Sequence, residues 1–203
     1  LEHQSQDHPV IALPLEGATS LTEAGILAIS VGVAASGSTA VQASGFGNVI
    51  ANSTRAEVIT GSTVVSGGLI DLTAKDESQI RSLALSVAAS GSTAVSVLIG
   101  DNVIANDIEA LISGSTVNSG STLALTATSN ADVLAFTGGV AASGSTAVMT
   151  SLSANVVANT IRAGISDEEI YSNPVASDID AVGAVTLSAH ATSSVDALAF
   201  GVA

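Results

Sequence analysis

The sequence predicts an all-β chain, a right-handed parallel β-helix of about three tandem repeats. Three observations predict it: a nonapeptide that recurs unchanged, period-two alternation within the recurring blocks, and an apolar composition almost devoid of large side chains.

The nonapeptide VAASGSTAV begins at Val33, Val87 and Val140, and a fourth copy opens at Val202, so the spacings are 54, 53 and 62 residues. Self-similarity at a near-fixed period marks a repeat architecture, because one unit cannot cover its own apolar face and stacked copies can. An Asn block follows each copy: NVIAN from Asn48, NVIAN from Asn102 and NVVAN from Asn155. Next come TRAEV, IEALI and IRAGI, beginning at Thr54, Ile108 and Ile161. GSTV follows at Gly61 and Gly114, then IDLTA, LALTA and VTLSA from Ile70, Leu123 and Val185. Each period closes on LAL or LAF, at Leu83, Leu134 and Leu198. The expected organisation is an irregular tail over 1–20 and one solenoid domain over 21–203, with repeats starting near 33, 87 and 140.

Alternation supplies the local structure. Thr54, Ala56 and Val58 match Ile108, Ala110 and Ile112, then Ile161, Ala163 and Ile165, while the residues between them vary freely. One face held small or apolar and the other left free is the pattern of a half-buried strand. Ile70, Leu72 and Ala74 repeat it, with Asp71 and Thr73 facing away. Ser/Gly and Asp-Asn turns separate the runs, and no segment carries a helical period. A period of about 53 residues exceeds an ordinary coil, so two or three coils per repeat are expected. A β-propeller has blades of similar length, but it lacks support from aromatic or Trp-Asp signatures here.

Composition sets the size of the interior. Hydrophobic residues make up 47% of the chain but aromatics only 2%, with no Trp and Tyr171 as the single Tyr. Ala, Val, Ser, Thr and Gly cannot fill a thick core, so the interior must be narrow. With 18 acidic against 4 basic residues and a net charge of −14, the chain lacks the cationic clusters that bind nucleic acid. The same charge disfavours anionic membrane surfaces. Residues 24–54 and 133–161 carry no charge, but Ser36, Gly37, Ser38, Thr39, Asn48 and Asn52 argue against insertion in a bilayer. A mean hydropathy of +0.57 is too apolar for a disordered chain. There is no Cys, hence no disulfide or thiol chemistry. LEHQSQDHPV has neither the basic nor the apolar region of a signal peptide.

The order of these blocks resembles the repeats of giant bacterial exoproteins, and is similar to leukotoxin-like and filamentous-haemagglutinin-like repetitive adhesins. The resemblance extends over nearly the whole chain after about Leu21 and rests on small residues, so it speaks to architecture. It implies export to the bacterial surface or medium, a β-helical shaft and an adhesive role with a cell-surface ligand. It carries over no catalytic residue.

The side chains available for chemistry are few. His3 and His8 lie in the tail, and His190 takes the place of Lys75 and Thr128, a varying surface position. No nucleophile elbow, P-loop or dinucleotide fingerprint occurs. Many β-helices act on polysaccharides, which requires a basic residue beside substrate carboxylates or a pair of facing carboxylates. Arg55, Lys75, Arg81 and Arg162 are spread over different repeats, and Asp71, Asp107, Glu109 and Asp132 are the candidate wall residues. An enzyme is therefore not expected. Thr126 and Thr128 form a lone TxT pair, too little for an ice-binding array. The third repeat carries about nine extra residues, and its segment 166–183 concentrates Asp167, Glu168, Glu169, Asp178 and Asp180. It reads as a solvated loop, with a Ca²⁺ or contact site as the sharper alternative, since hard cations take oxygen ligands. The chain closes in mid-consensus at Val202 and Ala203, which is expected either of a piece of a longer parent chain or of subunits that stack head to tail through those residues.

Overall fold

The computed structural model describes residues 10–11, 17–170 and 173–203. Among them there is no helix, and the strands stack in parallel as a β-solenoid. Four ladders run through the stack. The long sheet holds Ala18–Ser36, Ile70–Ser90, Leu123–Ser143 and Val185–Val202. The upper sheet holds Thr39–Ile50, Thr93–Ile104 and Thr146–Val157. The lower sheet holds Ser53–Val58, Asp107–Ser113 and Thr160–Ser166. The end sheet holds Val10–Ile11, Thr63–Ser66, Thr116–Ser119 and Asp178–Ala181.

The register corrects the expected coil number. Leu72 pairs with Ala18 and with Leu125, and Asn102 pairs with Asn48 and with Asn155, so each residue sits on its counterpart one whole repeat away. One repeat is one coil. A 53-residue coil is feasible because it is flat: a 21-residue strand, about 70 Å long, runs out along one side. The upper, lower and end strands return along the other. Parallel pairing between repeats also excludes a propeller, whose blades close internally. Two further expectations change. Val10–Ile11 pairs with Thr63–Val64, and the first long strand begins at Ala18, both inside the segment read as tail. Leu83 is level with Phe136 and Leu198, whereas Leu134 is level with Arg81, so the LAF at Leu134 is displaced by two residues from its counterparts at Leu83 and Leu198.

The predicted alternation holds where it was drawn. Ile108, Ala110 and Ile112 are fully buried, as is Ala74, with Ile70 and Leu72 nearly so. These residues join Val117, Leu123 and Leu125 in a core between the first half of the long sheet and the lower and end sheets. The second half of the long sheet packs on the upper sheet, and this lobe is thinner. Most side chains between the two sheets are small, and the larger Gln42, Phe46 and Met149 each face a Gly on a neighbouring strand. VAASGSTAV is the fold-back at the tip of the lobe, where Ala88, Ala94 and Ala141 touch, which accounts for its invariance across repeats. Facing columns are matched by size: Ser86 meets Ser96 at 2.5 Å, and Thr137 meets Ser151 at 2.8 Å. Where the upper sheet presents Met149, the long sheet has Gly139 and Gly201, whose added Cβ atoms would lie 2.5 and 2.6 Å from it.

Two Asn ladders cross the interior. Asn48 donates to Asn102 and Asn102 to Asn155, at 2.8 and 2.7 Å. Asn106 accepts the backbone N–H of Asn52, and Asn159 that of Asn106, at 2.8 and 2.9 Å. Asn106 also donates to the fully buried Asp76 at 2.7 Å and to Ser78 at 2.8 Å. The other coils place Thr22, Ser129 and Ala191 at the level of Asp76, and Ser129 accepts from Asn159 at 2.7 Å. A buried carboxyl held only by neutral donors is costly to desolvate. Asp76→Ser, which copies the third coil, is expected to raise stability by about 1–2 kcal/mol, read as a higher urea midpoint at unchanged slope. An unchanged or lower midpoint would show that the carboxyl is fully compensated.

From Ala18 onward, all length variation falls at one corner. From the first coil to the second, the long, upper and lower ladders step by 54 residues, but the end ladder steps by 53, from Thr63 to Thr116. The extra residue lies between Val58 and Thr63, where Thr60 has φ 59° and Gly61 φ 67°, the left-handed region that strains a β-branched residue. The third coil takes its extra nine residues at the same corner, as a small antiparallel hairpin of Glu168–Ile170 and Asn173–Val175.

Candidate functional site

Of the expected acidic cluster, the side chains of Asp167, Asp178 and Asp180 are described, and those of Glu168 and Glu169 lie outside the described residues. Asp167 caps the base of the hairpin, accepting from the backbone N–H of Ser177 at 3.1 Å, and Ser177 Oγ donates to the Ser166 carbonyl at 2.6 Å. Asp178 and Asp180 lie beyond it on the end sheet, level with Thr116 and Asn118, both on the exposed face of their strand. Glu168 and Glu169 are on the first strand of the hairpin. No group of three or more His, Asp or Glu side chains able to hold a metal ion occurs among the described residues. His3 and His8 lie outside the described residues. His190 is on the outer face of the fourth long strand, level with Thr128, within 3.2 Å of the Thr192 hydroxyl.

The basic residues, scattered in sequence, are in part brought together. Arg55, Glu109 and Arg162 occupy one level of the lower sheet in successive coils. Glu109, only 4% exposed, receives Arg55 at 2.9 Å and Arg162 at 3.0 Å. Asp107 and Glu57 also hold Arg55, at 2.8 and 3.3 Å. Glu109 raises the Arg55 pKa above the ordinary arginine value, against the opposing effect of desolvation and with help from Glu57 and Asp107. This guanidinium stays charged and engaged, so it is ill placed to recruit an anionic substrate. Arg81 stands on a different sheet, level with Leu27 and Leu134, and Lys75 pairs with Glu77. The trio was legible in the sequence in one way: steps of 54 and 53 from Arg55 land on Glu109 and Arg162.

A shallow depression of about 730 Å³ crosses the middle of the long sheet's outer face, lined by Glu23, Glu77, Gln79, Asn130, Asp132 and Thr192. Gln79 donates to Asp132 at 3.0 Å across two coils. No aromatic residue lines it, so it offers no platform for a sugar ring. Asp71 is tied to Thr73 at 3.1 Å on the same sheet, away from Asp107 and Glu109. Thr126 is level with Thr73 and Thr19, forming one Thr column that the sequence reading missed; Thr128 falls in the adjacent column with Leu21 and Lys75.

The solenoid ends show what remains unpaired. Val185–Val202 pairs on one edge only, with Leu123–Val140, and Val202 is level with Val140, 56% exposed. Ala203 follows it, also exposed. Among the described residues the first long strand pairs only with the second. The fourth long strand rises one level above the upper and lower sheets, which stop at three. The uncharged stretches 24–54 and 133–161 form long and upper strands, and no helix among the described residues is long and apolar enough to cross a membrane. Comparisons with family models, curated proteins and solved structures return no match.

Proposed function

We propose that this chain is a structural repeat segment of the shaft of an extracellular bacterial fibre or adhesin, lengthened head to tail by in-register addition of coils and without catalytic activity. The observation that carries the reading is the ladder itself: strands pair in register from coil to coil and the Asn columns stack through three coils, so a coil edge matches the next coil. Val202 and Ala203 lie at one such edge. The polarity of one Asn column gives it a direction, since Asn48 and then Asn102 each donate to the Asn carbonyl of the following coil. The acidic, Cys-free composition and the block order fit a bacterial cell surface or its medium, and the hairpin at 168–175 is the element best placed to meet a cell-surface ligand. The test is electron microscopy and fibre diffraction of the purified chain. Elongated particles with a reflection near about 4.8 Å along their axis are expected. Compact single particles at every concentration would overturn the proposal.

A further inference from the structure

The thin lobe is apolar on its outside as well as at interior positions such as Leu98 and Met149. Its outer faces carry Leu83, Leu85 and Val87 on the long strand and Val95, Val97 and Ile99 on the upper strand. Val87 is 44% and Ile99 49% exposed even in the second coil, which has a neighbour on both sides. The chain has only three Phe, and two of them lie on the long sheet's outer face. Phe136 and Phe200 meet edge to face at 5.5 Å, with Phe200 over Gly138. Columns of Ile29, Leu83, Phe136 and Leu198, then Val33, Val87, Val140 and Val202, continue the surface across four coils.

We infer that this long-sheet face is a side-by-side contact between two copies of the chain, each presenting the same patch to the other. Four rungs about 4.8 Å apart and eight residues at about 3.3 Å give a patch on the order of 500 Å². Two copies meeting on it withdraw about 1,000 Å² from water, where specific interfaces begin. Phe136 and Phe200, on its third and fourth rungs, are aromatic anchors of the kind that such interfaces favour. A two-fold axis parallel to the stacking direction lays apolar half on apolar half. It sends the halves bearing Glu77 and Asp132 in opposite directions, past the partner's edge. A lipid occupant fits less well, because the open sheet edges would lack hydrogen-bond partners in hydrocarbon and the net charge of −14 repels anionic headgroups.

This inference goes beyond the shaft reading, and the test separates the two. Phe136→Lys and the milder Leu85→Thr alter outward side chains, with Thr126→Lys as a control on the same sheet outside the patch. Circular dichroism confirms that each variant keeps its β signature. Sedimentation velocity of the wild type is expected to show paired copies. Phe136→Lys should weaken the pairing at least about 100-fold and Leu85→Thr about 10-fold, with Thr126→Lys unchanged. In micrographs the variants should keep particle length and lose width. Wild-type chains that never pair, a Phe136→Lys variant that pairs normally, or wild type that floats singly with neutral vesicles would each overturn the inference. Absence of elongated particles would count against the shaft alone, since pairing is read from mass.

Discussion

Replacing Asn106 by Ala is expected to cost about 3–5 kcal/mol, among the largest effects of any single truncation in the molecule. The side chain is 2% exposed and serves three partners at once. Its amide donates to Asp76 and Ser78, and its carbonyl accepts the Asn52 N–H. Truncation leaves a buried carboxyl with Ser78 as its remaining side-chain donor and orphans a backbone N–H one coil away. Each loss carries a desolvation penalty that water cannot relieve in so narrow an interior. The penalty should fall when the carboxyl is absent: in an Asp76→Ser background the same truncation should cost at least about 1 kcal/mol less. Asn130→Ala, on the outer face, should be nearly neutral. Urea unfolding of the four variants decides the matter, and equal costs in both backgrounds would show that Asn106 and Asp76 are not coupled.

The fold-back turns give the second large effect. A Cβ added at Gly91 would lie 2.3 Å from the Gly37 carbonyl of the preceding coil, and at Gly144 2.5 Å from that of Gly91. Backbone cannot step aside as a side chain can. Gly91→Ala therefore has to prise the two coils apart at the tip. That strains the bonds from Gly91 to Ser36 and from Ser92 and Thr93 to Ser38, at 3.2, 3.1 and 2.9 Å. A cost of about 2–4 kcal/mol is expected. The same substitution at Gly37 meets nothing within 4 Å and should leave stability unchanged, although it occupies the equivalent turn. Thermal unfolding of Gly37→Ala beside Gly91→Ala checks both. A similar loss from each would place the effect in the turn conformation rather than in the contact between coils.

Much of the fold was legible because the signals were local. Inward Ile70, Leu72 and Ala74, and the Thr54 and Ile108 blocks, follow from alternation alone, and the thin interior follows from the scarcity of aromatic residues. The coil number was not legible, for a physical reason. Asp76, Ser78, Ser82 and Ser86 point inward, so the pattern of one continuous 21-residue strand looks interrupted, as though several short strands shared the repeat. The outward Leu83, Leu85 and Phe136 blur it further, since apolar residues on the solvent side reverse the usual code. Side-chain partners were hidden for another reason: Arg55, Glu109 and Arg162 meet only once the register is fixed. The acidic run at 166–183 looked like a site because the residues are close in sequence. In the fold Asp167 caps the hairpin base at Ser177, while Asp178 and Asp180 lie on the exposed face of the end strand.

The corner between the lower and end strands absorbs one additional residue in one coil and nine in another, and no hydrogen-bonded column shifts. It is therefore a tolerant seam, where foreign sequence can be spliced in without disturbing what lies above or below. Its capacity is limited by pitch. Successive corners are about 4.8 Å apart, and a two-stranded excursion is roughly twice that across. Such passengers can ride on every second level at most, which leaves compact corners, as in the first two coils, as the spacers a decorated stack requires.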